Sequence, residues 1–130
     1  MIIAVDFDGT LCENKWPKIG PPRAWLIRYL EFLKSKGHKI ILWTCRTGDK
    51  LDAAVKWCKK FDLEFDAVNE NLPEIIEAFG SDTRKIYADC YLDDLNITLE
   101  QIEKQIEWGK QVGQYVAKYR EKEIQEKGGT

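Results

Sequence analysis

The sequence predicts a three-layer α/β fold, a parallel sheet with helices on both faces. Three observations carry that prediction. Short apolar runs rich in β-branched residues, each ending in polar groups, read as strands buried on both faces. Longer segments with apolar residues at helical spacing separate them, and alternating strands and helices imply parallel strands joined by right-handed crossovers. The chain has 130 residues, 44% of them hydrophobic and 32% charged, which suits one domain that folds without disulfides or structural metal.

The first strand is Ile2–Val5, ending at Asp6. A polar stretch with Gly and Pro follows from Gly9 to Pro22, and Pro21-Pro22 is expected to open a helix, because proline is tolerated in the first turn. Ile27, Leu30 and Leu33 mark its apolar face, and Gly37 closes it. Ile40–Trp43 is the second strand, ending at Thr44. Asp49 is expected to cap a second helix, with Leu51, Ala54, Val55 and Cys58 facing inward. Phe65–Val68 is a short third strand. Asn71 and Glu74 suggest a capping box for a helix through about Phe79. Cys90–Leu92 is the fourth strand, ending at Asp93-Asp94. Thr98 and Gln101 cap a long last helix over 98–122, with Ile102, Ile106, Val112, Val116 and Tyr119 as its apolar stripe and a frayed tail over 123–130. Residues 1–130 thus read as one Rossmann-like domain without internal repeats.

Composition narrows the function classes. Lys plus Arg is 20 and Asp plus Glu is 22, a net charge of −2, so a global basic field for nucleic acid is absent. No apolar run approaches the roughly 18 residues of a membrane span. Cys12, Cys45, Cys58 and Cys90 form no Cys-x-x-Cys pair and His38 is the single histidine, which argues against zinc. Scattered thiols and no leader-like segment set the expectation of a cytoplasmic protein.

Chemistry collects at the strand ends. Strand one ends in Asp6-Phe7-Asp8-Gly9-Thr10, strand two in Thr44-Cys45-Arg46 and strand four in Asp93-Asp94. Parallel strands bring these endings to one edge, where an open α/β sheet binds its ligands. Carboxylates crowded in one crevice need a cation, and hard oxygen ligands suit Mg²⁺. Each piece has a plainer reading: a turn for Asp-x-Asp-Gly, a strand terminus for Thr44, a capping pair for Asp93-Asp94. Their joint occurrence at strand ends favours a site. An EF-hand loop fails on context, because a strand precedes Asp6 and Pro17 stands at the twelfth position.

The run IIAVDFDGTL resembles the first motif of the haloacid dehalogenase (HAD) superfamily, IILWT the second and CYLDD the fourth, in family order from Ile2 to Asp94. KIYADCYLDD is also similar to the ending of 5′(3′)-deoxyribonucleotidases of that superfamily. The resemblance implies a HAD-like fold and Mg²⁺-dependent hydrolysis of a phosphomonoester through a covalent aspartyl phosphate. It makes Asp6 the nucleophile and Asp8 the general acid and base. Thr44 becomes a hydrogen-bond donor to the phosphoryl group, and Lys85 the third-motif cation, with Arg84 and Lys50 as alternatives. Asp6, Asp8 (through its carbonyl), Asp93 and Asp94 become metal ligands. Thr10 with Leu11 favours phosphatase over dehalogenase chemistry.

Lys85 carries a geometric condition. If residues 85 to 93 were fully extended, it would lie roughly 26 Å from Asp93, at about 3.3 Å per residue. Ile86–Asp89 must therefore loop back towards the carboxyl edge. Neither Thr10–Lys39 nor Cys45–Arg84 has room for an inserted cap domain, so the chain resembles capless members, which have open sites. Thr10, Trp16 and Arg46 are candidates for substrate binding, Trp16 by stacking and Arg46 by meeting a second anion. The alternatives are that Trp16 covers the core edge and that Arg46 pairs with Asp49 or Asp52.

Two other classes compete. A response-regulator receiver domain has its acidic pair at the first strand, the reverse of the order here. A HAD-like regulatory or binding protein with little turnover, or a nucleotidase-type phosphatase, would keep the same residues. The substrate is a phosphorylated compound of unspecified identity. The last helix is longer than a four-stranded sheet requires and carries Trp108, Tyr115 and Tyr119, which suggests a homo-oligomer through that helix.

Overall fold

A computed structural model describes residues 1–128 of the chain; the side chains of Tyr115, Val116 and Tyr119 lie outside the described residues. The chain divides into two compact units, Met1–Asn96 and Ile97–Thr130.

The first unit opens with β1 (Ile2–Val5). β2 (Cys12–Lys15) and β3 (Lys18–Pro22) follow as an antiparallel hairpin, then α1 (Ala24–Ser35). Next come β4 (Lys39–Leu42), α2 (Gly48–Lys60), β5 (Ala67–Val68), α3 (Pro73–Phe79) and β6 (Cys90–Leu92). β1, β4, β5 and β6 form a parallel sheet in the order β5-β4-β1-β6, the mixed α/β architecture that the alternation predicts.

Strand parity sorts the core into two layers. Ile3 pairs with Ile40 and Val5 with Leu42, and these face Leu26, Ile27 and Leu30 of α1 and Ala54 and Cys58 of α2. Ile41 points the opposite way and packs with Ala67, Leu72 and Ile86, with Ile75 of α3 alongside. Both faces of β1 and β4 are therefore dry, which is why their sequences are continuous apolar runs rather than alternating ones.

The structure corrects several local expectations. Within the polar stretch, Cys12–Pro22 forms a hairpin, and Pro21-Pro22 ends β3 instead of opening a helix. A two-stranded sheet has only edge strands, where the missing proline N–H costs little. Gly20 is required there, since a Cβ would collide with the Glu13 carbonyl. α2 has Thr47, not Asp49, at its N-cap, and Asp49 lies in its first turn. The Asn71 capping box does not form, because α3 starts at Pro73 after Leu72. The buried Asn71 side chain instead donates to Asp82 and Thr83 and accepts from the Tyr87 N–H at 2.8 Å. It thereby pins the segment that carries Lys85.

The second unit contains α4 (Leu99–Glu126). Thr98 and Gln101 form the expected capping box, and the helix continues through Glu126, beyond the expected end at 122. Ile102, Ile106, Trp108 and Val112 are exposed on it.

Candidate active site

Strand order decides where a site can form. The chain leaves β1 towards β4 on one side and later returns to place β6 on the other, so the order reverses at β1. Such reversals open a crevice at the carboxyl ends of the strands. The Asp6 N–H donates to Leu92 O at 2.9 Å and the Trp43 N–H to Val5 O at 2.8 Å, which extends the ladders just past that edge.

Asp6, Asp93 and Asp94 converge there, each with a carboxylate oxygen within 4.8 Å of the others. Thr10 ties the group together. Its hydroxyl lies 3.1 Å from Asp94 Oδ1 and 3.3 Å from Asp6 Oδ2, and it accepts the Asp94 N–H at 3.0 Å. Gly9 makes the approach feasible. Its φ of 89° is a left-handed conformation, and a Cβ would collide with the Asp94 carboxylate. Arg23 donates to the carbonyls of Thr10 (2.8 Å) and Gly9 (3.2 Å), clamping the turn from behind.

Burial pushes the Asp6 carboxyl up to about 6, and the charges of Asp93 and Asp94 add to the rise against hydrogen bonds from the Phe7 backbone and Thr10. A divalent cation would offset most of this negative charge. In an octahedral shell with Mg²⁺–oxygen bonds of about 2.0–2.1 Å, ligands lie roughly 3–4 Å apart. Oxygen ligands from three carboxylates within 4.8 Å of one another are a donor set that could hold a hard divalent cation.

Asp8 stands apart. Its carboxylate accepts both Nε (2.8 Å) and Nη2 (2.8 Å) of Arg46. Arg46 therefore pairs with neither Asp49 nor Asp52, and it is buried at 2% exposure. Its guanidinium carbon lies over both the Phe7 ring (5.0 Å) and the Trp16 ring (4.9 Å). Trp16, 54% exposed on the hairpin, covers Arg46. Two depressions flank the turn. One, of about 280 Å³, is lined by Gly9, Thr10, Trp25, Asp93 and Asp94 among others. The second, of about 220 Å³, is lined by Asp8, Asn14, Trp16, Cys45 and Arg46.

Thr44 follows β4 at the same edge, where its N–H donates to Asn69 Oδ1 at 2.8 Å and its hydroxyl accepts the Arg46 N–H at 3.2 Å. Asn69 also donates to Arg46 O at 3.3 Å, so it shapes the Thr44–Arg46 turn. No sequence motif marks Asn69 or Arg23 as a site residue. Asn69 has φ 53°, which asparagine tolerates, and an Asn directly after a short strand was the available signal.

Residues 86–89 lie outside regular structure, and Asp89 exchanges hydrogen bonds with Ile2 at the amino end of β1. The Lys85 ammonium sits over the Tyr91 ring at 5.7 Å, and among the described residues it forms no ion pair. The structure does not bring it into contact with Asp6.

A solved structure of a conserved protein from Bacteroides thetaiotaomicron is similar to this chain. The two share 42% identity over 75% of this chain and 78% of that one, with a TM-score of 0.67. The chain belongs to the same family as that conserved protein. No family model matches the sequence, and no curated protein does. Among the described residues, no helix is long and apolar enough to cross a membrane.

Proposed function

We propose that the chain is a HAD-type phosphatase, a Mg²⁺-dependent phosphomonoester hydrolase that works through an aspartyl phosphate on Asp6. The observation that carries this reading is the convergence of Asp6, Asp93 and Asp94 at the carboxyl edge, bridged by Thr10. These three carboxylates, with the Asp8 carbonyl, would hold Mg²⁺, whose positive charge offsets the repulsion between an anionic nucleophile and an anionic ester.

The chain's own groups account for the chemistry. A carboxylate oxygen of Asp6 attacks phosphorus, and the bond to the leaving oxygen breaks with its electron pair on that oxygen. Asp8 donates the proton that this oxygen takes up. In the second half, Asp8 removes a proton from water as the water attacks phosphorus, and the Asp6 carboxylate is released. Thr44 donates a hydrogen bond to the phosphoryl group, and Lys85 neutralises its charge once the ammonium leaves the Tyr91 ring.

The test is phosphate release from 4-nitrophenyl phosphate with Mg²⁺ and with chelator. The expected result is activity only with the cation, lost by several orders of magnitude in Asp6→Asn. Wild-type turnover in that variant would end the covalent mechanism. The same reading expects Lys85→Ala to cost about 10- to 100-fold in kcat/KM. It also expects the exposed apolar side chains of α4 to join a second copy. Sedimentation of dilute protein checks this, and a monomer at micromolar concentration would remove it.

A further inference from the structure

β1, β4 and β6 carry Asp6, Thr44 and Asp93 just past their carboxyl ends. The remaining strand of the sheet, β5, ends at Val68, and Asn69 follows it directly. The Asn69 N–H donates to Leu42 O at 2.8 Å, one more rung on the β4–β5 ladder. Its side-chain amide reaches across to the segment after β4. The amide oxygen accepts the Thr44 N–H at 2.8 Å, and the amide nitrogen donates to Arg46 O at 3.3 Å. One planar group thus fixes both ends of the Thr44–Arg46 turn.

The turn is also closed from within, where the Thr44 hydroxyl accepts the Arg46 N–H at 3.2 Å. That bond cannot anchor the turn, because donor and acceptor move with it. Asn69 can, because it belongs to a different strand. A threonine hydroxyl has one proton and two lone pairs. The Arg46 N–H occupies a lone pair and so sets where the oxygen sits. The proton is left without an acceptor among the described residues, at a half-buried side chain on the carboxyl edge.

We propose that Asn69 is a positioning residue, which ties the Thr44–Arg46 turn to β5 so that the Thr44 hydroxyl presents its unspent proton to the phosphoryl group. The inference rests on the phosphatase reading, in which Thr44 donates to that group. The plainer role for Asn69 is to end β5 with its φ of 53°. Glycine fills that role at least as well, but has no amide side chain to hold the turn.

Asn69→Gly therefore separates the two roles. It is expected to lower kcat/KM for 4-nitrophenyl phosphate about tenfold, and to raise the Ki of orthovanadate, a mimic of the transferring phosphoryl group, by a similar factor. Mg²⁺ affinity followed by calorimetry should stay within about twofold, because the cation-binding carboxylates follow other strands. In a Thr44→Val background the same substitution should add less than about twofold, since no hydroxyl is left to position. Asn69→Asp keeps the shape and the acceptor for the Thr44 N–H but loses the donor to Arg46 O. It decides the matter if Asn69→Gly fails to fold by near-UV circular dichroism, and its loss too should vanish in the Thr44→Val background. Unchanged kcat/KM in a folded variant, a loss that persists without the Thr44 hydroxyl, Mg²⁺ affinity falling in step, or failure of both variants to fold would each overturn the positioning role. A wild-type chain silent on the ester would overturn the phosphatase reading, and this inference with it.

Discussion

At the scale of single residues, Asp6 sets the most direct consequence. Its carboxyl, ordinarily near 3.8, is raised to about 6, chiefly by burial. The folded chain therefore binds the proton more tightly than the unfolded one. That stabilisation is complete below about 3.8 and is lost as pH rises through about 6. In chelator, Asp6→Asn should melt higher than wild type at pH 8, by at most about 2 kcal/mol given its partial exposure, and the gap should close by pH 4. Thermal unfolding at the two pH values checks this. A variant no more stable at pH 8 would mean that the buried charge is compensated. Gly9→Ala combines a left-handed backbone with a collision at Asp94 and should lose about 2 kcal/mol or more, together with cation binding followed by calorimetry. The strand-end carboxylates were legible in the sequence, because parallel strands must present their carboxyl ends together. The partner of Arg46 was not. Asp49 and Asp52 are close in sequence, whereas Asp8 is 38 positions away and meets Arg46 only when β1 and β4 lie side by side.

At the scale of elements, the segment before β6 depends on one side chain. Asn71 makes four hydrogen bonds through its amide group to Asp82, Thr83 and Tyr87. Asn71→Ala should cost about 2–3 kcal/mol in urea unfolding and speed amide exchange across residues 82–87. Unchanged exchange there would show that Ile86, buried against Ile41, suffices to hold the segment. Thr98→Ala should lower α4 stability by about 1 kcal/mol, seen as lost helicity on warming. The capping box at Thr98 was legible because both of its partners are local. The hairpin was not, because Glu13, Asn14 and Lys15 are all exposed and give no apolar alternation, while Pro21-Pro22 mimics a helix start. Asn71 misled for a related reason: its spacing to Glu74 fits a cap, but burial recruited its amide to a distant segment.

At the scale of the first unit as a whole, the sheet pairs β1 with partners far apart in the chain. Ile3 lies beside Ile40 on one side and Cys90 on the other. A cation that binds the folded unit alone should raise its stability by about 2.7 kcal/mol at a hundredfold excess over Kd. Melting with graded Mg²⁺ measures this, and no response would separate the acidic group from cation binding. β6 is a three-residue edge strand whose first two residues are exposed, and it supplies the backbone next to Asp93 and Asp94. The sheet edge therefore matters in time as well as in space. As the polypeptide emerges from synthesis, Asp6 and Asp8 precede Asp93 and Asp94 by most of the unit's length, so the nascent chain holds the first half of the acidic group long before the second. Later, a local peeling of three residues, far cheaper than global unfolding, is enough to take the site apart while the layer between β1, β4 and α1 stays intact.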